Sequence, residues 1–102
     1  MNHYNLTKKA VTDLENIWTY TYYQWSEKQA DSYYQLLTTT FEKIANSPSA
    51  YEKVYDIVRN GLRGCKVKQH IIFYFIQPND DILIVRILGR VDIWGDEILV
   101  NV

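Results

Sequence analysis

The sequence contains a long segment that has basic residues and no acidic ones. Asp and Glu are absent from residues 57–79, although the 102-residue chain has 12 acidic residues and a formal net charge of -1. The basic residues in or after this segment are Arg59, Arg63, Lys66, Lys68, Arg86 and Arg90. A cationic strand face on a slightly acidic protein suits an acidic peptide, an acidic protein surface or a polyanion. An ordinary solvated strand face would show the same pattern. Arg86 interrupts the apolar run of residues 82–88 and is expected to form a structural or interfacial ion pair.

Other chemistry-bearing residues do not form a pattern typical of catalysis. His3 and His70 have no cysteine or second histidine at metal-ligand spacing, and Cys65 is the only cysteine. No Ser-His-Asp arrangement is indicated, and the segment RNGLRG lacks the lysine and spacing of a phosphate-binding loop. We therefore expect no catalytic residues, no metal site and no cofactor.

Aromatic residues are abundant, with nine Tyr, three Trp and three Phe. Four of them crowd the end of the first predicted helix: Tyr20, Tyr22, Tyr23 and Trp25. One buried helix stripe cannot cover so much aromatic surface, so part of it should be exposed to a partner. We expect these residues and Trp94 to form apolar contacts with a partner protein or in a self-dimer. The alternative is that they close the end of the hairpin, and for Trp18 and Trp25 this core position is the preferred interpretation.

The periodicity of the apolar residues predicts a helical hairpin over the first half of one domain spanning residues 1–102. From Thr7 to Trp25 apolar residues recur at helical spacing, and the Thr7 hydroxyl can cap the first turn. Ser26 and Gln29 match a capping box, so a second helix begins there and ends near Asn46. Because almost no loop separates the helices, they should lie antiparallel.

After Gly61 the pattern changes to that of strands. Residues 62–68 alternate between apolar and basic, with a possible bulge at Gly64; residues 70–76 are almost continuously apolar; residues 82–88 follow a polar turn. These segments predict an antiparallel meander, and residues 3–6 can add an edge strand. The predicted fold class is α+β, with an N-terminal strand and a helical hairpin packed on a three- to four-stranded antiparallel sheet. The conformation after Gly89 stays open.

Composition also indicates the cellular compartment. No apolar run approaches the roughly 18 residues that a membrane span needs, and a lone cysteine fits a reducing environment. The chain is therefore expected to be cytoplasmic, without membrane association.

The order of elements and several short motifs resemble the RelE/ParE toxin superfamily, and its ParE branch in particular. The motifs are YNLTKKAVTDL at residues 4–14, Gln29, Ala30 and Tyr33, RNGLR at 59–63, HIIFY at 70–74 and IVRIL at 84–88. The family usually continues the last motif with a histidine, whereas Gly89 follows it here.

The resemblance implies the toxin of a type II toxin–antitoxin system that blocks DNA gyrase and is neutralised by a ParD-like antitoxin. It also implies a homodimer or a hetero-oligomer with the antitoxin, and we expect no specific DNA binding by the toxin alone. The antitoxin would then be the partner protein that the exposed aromatic residues contact. The RelE branch suggests an alternative, a ribosome-dependent mRNA endoribonuclease in which basic residues and Tyr74 would act on the phosphodiester. A sheet-core position is the preferred interpretation of Tyr74. A former toxin that now serves as an interaction module is the third hypothesis.

Overall fold

The computed structural model describes residues 3–48, 53–54 and 60–89. In chain order the elements are β1 (Tyr4–Leu6), α1 (Lys8–Gln24), α2 (Glu27–Asn46), β2 (Lys53–Val54), β3 (Arg63–Val67), β4 (His70–Ile76) and β5 (Ile82–Gly89). The two helices pack together, and α1 contacts β5 and β1. The predicted α+β fold with a helical hairpin on a sheet is confirmed.

Local side-chain hydrogen bonds explain where the helices begin. The Thr7 hydroxyl accepts a hydrogen bond from the backbone N–H of Ala10 at 3.1 Å, and the Ser26 hydroxyl accepts one from that of Gln29 at 3.1 Å. Each bond satisfies an amide that has no partner inside the helix. Both predicted helix starts are confirmed, and the connection through Trp25 and Ser26 turns the chain back on itself.

The sheet has the order β1-β5-β4-β3-β2. Strands β3, β4 and β5 form the predicted antiparallel meander. The predicted edge strand is also present, but it pairs with β5 in parallel, with Tyr4 opposite Ile82 and Leu6 opposite Ile84. The two-residue β2 pairs with β3 and was not predicted. The sheet is therefore mixed. The direction of β1 was not predicted because it depends on the path of the chain between strands, and the local alternation of apolar and polar residues does not show it.

A register shift lies between β4 and β5. Phe73 is opposite Arg86, whereas the next residue, Tyr74, is opposite Ile84, so that β5 contains one additional residue, Val85. Such an insertion is a β-bulge, which redirects the side chains around it. The bulge expected at Gly64 is wrong, since Gly64 pairs in regular register on both sides.

Apolar side chains are buried on both faces of the sheet. The larger cluster lies between the sheet and the helices and includes Leu14, Leu37, Phe41, Ile44, Cys65, Ile72, Tyr74, Ile82, Ile84 and Ile87. A second buried cluster is formed by Leu62, Phe73 and Leu88. Burial of alternate residues on opposite faces of β4 explains why that strand is almost continuously apolar.

Candidate functional site

The three basic residues around β3 do not share one surface. Side chains alternate between the faces of a strand, so Arg63 lies on the helix-facing side with Cys65 and Val67, both of which belong to the main core. Lys66 lies on the opposite side and is exposed, and Lys68 is exposed in the following turn with a φ of 51°. The single cationic face expected on this strand is therefore wrong. That these residues contact a partner stays a prediction.

Arg86 is held by a carboxylate of the first helix. Its Nε and Nη2 atoms donate to the two oxygens of Asp13 at 2.7 and 2.9 Å, and the backbone N–H of Ile87 donates to Asp13 at 3.0 Å. Nearby, the Thr7 hydroxyl donates to the bulge carbonyl of Val85 at 2.9 Å. β1 pairs with only the first part of β5, up to Ile84. Beyond that point, Thr7 and Asp13 at the start of α1 bind the backbone at the edge of β5. The ion pair expected for Arg86 is confirmed, and it is a structural one between α1 and β5. That Arg86 also contacts a partner stays a prediction.

Tyr74 is fully buried in the main core. Its hydroxyl donates to the carbonyl of Pro48 at 2.7 Å. Burial, and secondarily Cys65, raises the pKa of Tyr74 to about 12, while the positive charge of Arg63 acts in the opposite direction. The predicted sheet-core position of Tyr74 is confirmed, and its hydroxyl stays protonated at neutral pH.

Three of the predicted contact residues, Arg59, Arg90 and Trp94, lie outside the described residues. Their part in binding stays a prediction.

The end of the hairpin presents a broad aromatic surface. The exposed fractions are 66% for Tyr20, 41% for Tyr22, 78% for Tyr23 and 74% for Trp25. The predicted exposure of aromatic residues in this region is confirmed. The core position assigned to Trp25 is wrong, because the first helix ends at Gln24 and Trp25 belongs to the connection between the helices.

Trp18 joins the two helices on their outer side. Its indole N–H donates to the carboxylate of Asp31 at 3.0 Å, and its ring stacks on Tyr22 with 5.3 Å between the ring centres. Trp18 is half-buried. The core position expected for Trp18 is thus only partly confirmed. The ring packs between the two helices on their outer side, and part of it stays exposed to solvent.

A groove runs along this seam. It has a volume of about 560 Å³ and is lined by Glu15, Trp18, Thr19, Asp31 and Tyr34, which we call the hairpin groove. This groove was not predicted from the sequence. The sequence does place Glu15, Trp18 and Tyr22 along one stripe of α1. That spacing alone does not indicate that Asp31 and Tyr34 of α2 lie beside them.

His70 lies in a structural position. Nδ1 of His70 is 2.6 Å from the hydroxyl of Tyr33, which also donates to the carbonyl of Val67 at 3.2 Å. These contacts join α2 to the residues on either side of the turn between β3 and β4. Burial raises the pKa of Tyr33, and a hydrogen bond to the backbone of Gln69 opposes that effect. Within the described ranges, no group of three or more His, Cys, Asp or Glu residues is placed to hold a metal ion.

The helices of the described chain include none that is both long and apolar enough to cross a membrane.

The described chain forms a helical hairpin on a mixed sheet, and the Asp13–Arg86 ion pair joins the first helix to the last described strand. Comparison with known proteins shows which protein family has this sequence pattern. Residues 4–94 match the family model described as ParE toxin of type II toxin-antitoxin system, parDE. The chain therefore belongs to the ParE toxin family.

Individual relatives agree with this assignment. "Toxin ParE1" of Caulobacter vibrioides is 34% identical over 83 residues, which cover 81% of this chain and 85% of the relative. "Toxin ParE1" of Mycobacterium tuberculosis is 31% identical over 89 residues, covering 87% of this chain and 90% of the relative. A solved structure titled "Chromosomal ParDE TA system from P. aeruginosa" shares the fold, with a TM-score of 0.73, 17% identity, and coverage of 87% of this chain and 96% of that one.

Proposed function

We propose that this ParE toxin inhibits DNA gyrase by binding to it, without catalysing a reaction, and that a ParD-like antitoxin neutralises it. Membership of the ParE family over most of the chain supports the proposal most directly. The two relatives compared above are named as ParE toxins, and the structural neighbour comes from a ParDE system.

The state of two side chains favours binding over RNA cleavage. An endoribonuclease needs groups that reach the phosphodiester and exchange protons near neutral pH. Tyr74 is buried with its hydroxyl bound to Pro48 and its pKa raised to about 12. Arg86 has its guanidinium bound to Asp13. The hydroxyl of Tyr74 and the guanidinium of Arg86 are thus engaged in structural hydrogen bonds, which would have to break before either group could act on RNA.

A supercoiling assay tests the proposed target. Relaxed plasmid is incubated with gyrase from the host bacterium and increasing amounts of folded toxin, with heat-unfolded toxin as the control. We expect supercoiling to stop while a translation extract keeps its normal rate. Undisturbed supercoiling together with mRNA cleavage on ribosomes would instead establish the endoribonuclease function. Harmless expression with neither effect would indicate a former toxin that serves as an interaction module.

Single charge removals test the predicted contact residues. Lys66→Ala and Lys68→Ala remove exposed cations near β3, and Lys43→Ala removes an exposed cation from α2 as the matched control. Each exposed charge contributes about 0.2–1 kcal/mol to an ion pair, so the inhibitory concentration should rise by up to about fivefold for a contact residue. Equal effects of all three variants would show that only overall charge matters.

Neutralisation is tested with the product of the short open reading frame next to the toxin gene. We expect the purified protein to form a stable hetero-oligomer with the toxin, measured by size-exclusion chromatography with light scattering, and to restore supercoiling. Recovery of separate species would contradict the proposed partnership and leave the gyrase result standing.

A further inference from the structure

We propose that the hairpin groove, lined by Glu15, Trp18, Thr19, Asp31 and Tyr34, binds an arginine side chain on a segment of a partner protein. The groove lies on the outer side of α1 and α2, and none of its five lining residues was predicted from the sequence to contact a partner. The proposal does not depend on the identity of the toxin's target.

The charges around the groove select a cation. Glu15 on α1 and Asp31 on α2 are both exposed carboxylates, and both line the same groove. An adjoining depression shares Asp31 and Tyr34 and adds Glu27 and Lys28. Among the described residues that line the two depressions, three are therefore acidic and one is basic. Along α1 itself, no basic residue follows Lys9. A cationic side chain is the charged group that complements this surface.

The aromatic rings select a guanidinium among cations. Trp18 and Tyr34 line the same groove as the two carboxylates, and Tyr34 is 42% exposed. Trp is the most favourable ring for a cation–π contact, and a planar guanidinium stacks on aromatic faces more readily than an ammonium group does. The Trp18–Asp31 hydrogen bond fixes the indole ring, so the binding surface is ordered before a ligand arrives.

The surroundings of the groove suit a protein segment better than a free small cation. Tyr22 stacks on Trp18, and Tyr23 packs edge-on against Tyr22 with 5.1 Å between ring centres. Together with Trp25 these rings form an exposed aromatic surface that extends towards the end of the hairpin. Aromatic residues beside an anchoring pocket are typical of protein interfaces. Apolar residues that flank the bound arginine would pack there.

A pair of peptides that differ only in charge tests the proposal. The probe is acetyl-Leu-Arg-Leu-amide, and its control is the same peptide with citrulline, which has nearly the same shape without the charge. Binding to the full chain is followed by the indole N–H resonance of Trp18 in nitrogen-15 NMR spectra, assigned with a Trp18→Phe variant. We expect saturable shifts with the arginine peptide and at least about fivefold weaker binding of the citrulline peptide.

Charge-neutral variants locate the binding site. Asp31→Asn keeps an oxygen that can accept the hydrogen bond from Trp18, and Glu15→Gln changes an exposed side chain, so the fold should be preserved. The double variant should bind the arginine peptide about five- to tenfold more weakly and lose the preference over citrulline. Glu42→Gln, at an exposed acid elsewhere on α2, should bind as the unmodified chain does.

Three results would overturn the proposal. They are the absence of saturable shifts at Trp18, equal affinity for the arginine and citrulline peptides, and unchanged affinity in the double variant. A wild-type far-UV circular dichroism spectrum of each variant ensures that a loss of binding reports on the groove and not on unfolding.

Discussion

Replacement of Asp13 by alanine would remove the carboxylate that joins α1 to β5. Asp13 accepts two hydrogen bonds from the Arg86 guanidinium and one from the backbone N–H of Ile87. The two side chains are largely buried, with 10% of Arg86 and 13% of Asp13 exposed. We predict that Asp13→Ala strongly lowers the free energy of unfolding.

The magnitude follows from what the variant leaves behind. Removal of one partner from a buried ion pair costs about 3–5 kcal/mol, because the remaining charge loses the Coulomb attraction and hydrogen bonds of that partner. Alanine regains about 0.5 kcal/mol through its higher helix propensity. The expected net loss is about 3 kcal/mol, which is a large part of the roughly 5–15 kcal/mol that stabilises a typical domain. Asp13→Asn keeps one acceptor oxygen and should lose less.

Urea unfolding followed by far-UV circular dichroism at pH 7 measures these differences. Glu15→Ala, an exposed acid two positions further along α1, is the control and should change stability by less than about 0.5 kcal/mol. Adding Arg86→Met to Asp13→Ala should restore part of the loss, since it removes the buried charge that Asp13 balanced. The reasoning fails if Asp13→Ala costs less than about 1 kcal/mol, or if the double variant is less stable than the single one.

Three further substitutions test other parts of the fold. Tyr74→Phe loses the hydrogen bond to Pro48 and should cost about 1 kcal/mol in urea unfolding at pH 7. Since burial raises the pKa of Tyr74 from 10.0 to about 12, its contribution is complete below pH 10.0 and is lost as the pH rises through about 12. Stability measured across that range should therefore fall less steeply in the Phe variant; parallel curves would contradict this. Gly61→Ala should cost about 1 kcal/mol through backbone strain, because its φ is +83° while the nearest atom to the added carbon, in Phe75, is 3.9 Å away; an unchanged urea midpoint would argue against strain. Ser26→Ala should cost about 1 kcal/mol by removing a helix cap, and thermal unfolding that matches the unmodified chain would show that the cap is dispensable.

The parts of the fold that depend on neighbouring residues could be predicted from the sequence. The hydroxyls of Thr7 and Ser26 cap the helices where the capping patterns predicted, and the second helix ends at Asn46 as expected. The change of period after Gly61 correctly indicated the three strands of the meander. Helix caps and apolar periodicity act over a few residues, so a single sequence contains the information.

The features that could not be predicted depend on distant parts of the chain. The parallel direction of β1 follows from how the hairpin returns to the sheet, and the bulge at Val85 accompanies the ion pair of the next residue with α1. Arg63 was grouped with Lys66 by charge, although their separation of three positions places them on opposite faces of a strand. The hairpin groove depends on the rotation of one helix against the other, which no local pattern specifies.

The pairing of β1 with β5 also determines when this protein can finish folding. The hydrogen bond between Thr7 and Val85 joins residues 78 positions apart, and contacts of such long range form slowly because a long loop must close first. During synthesis from the N terminus, the helices emerge before the strand that receives β1. A nascent fragment that ends before Ile82 lacks that strand and the arginine that binds Asp13, so the fold described here cannot be completed until β5 has been synthesised.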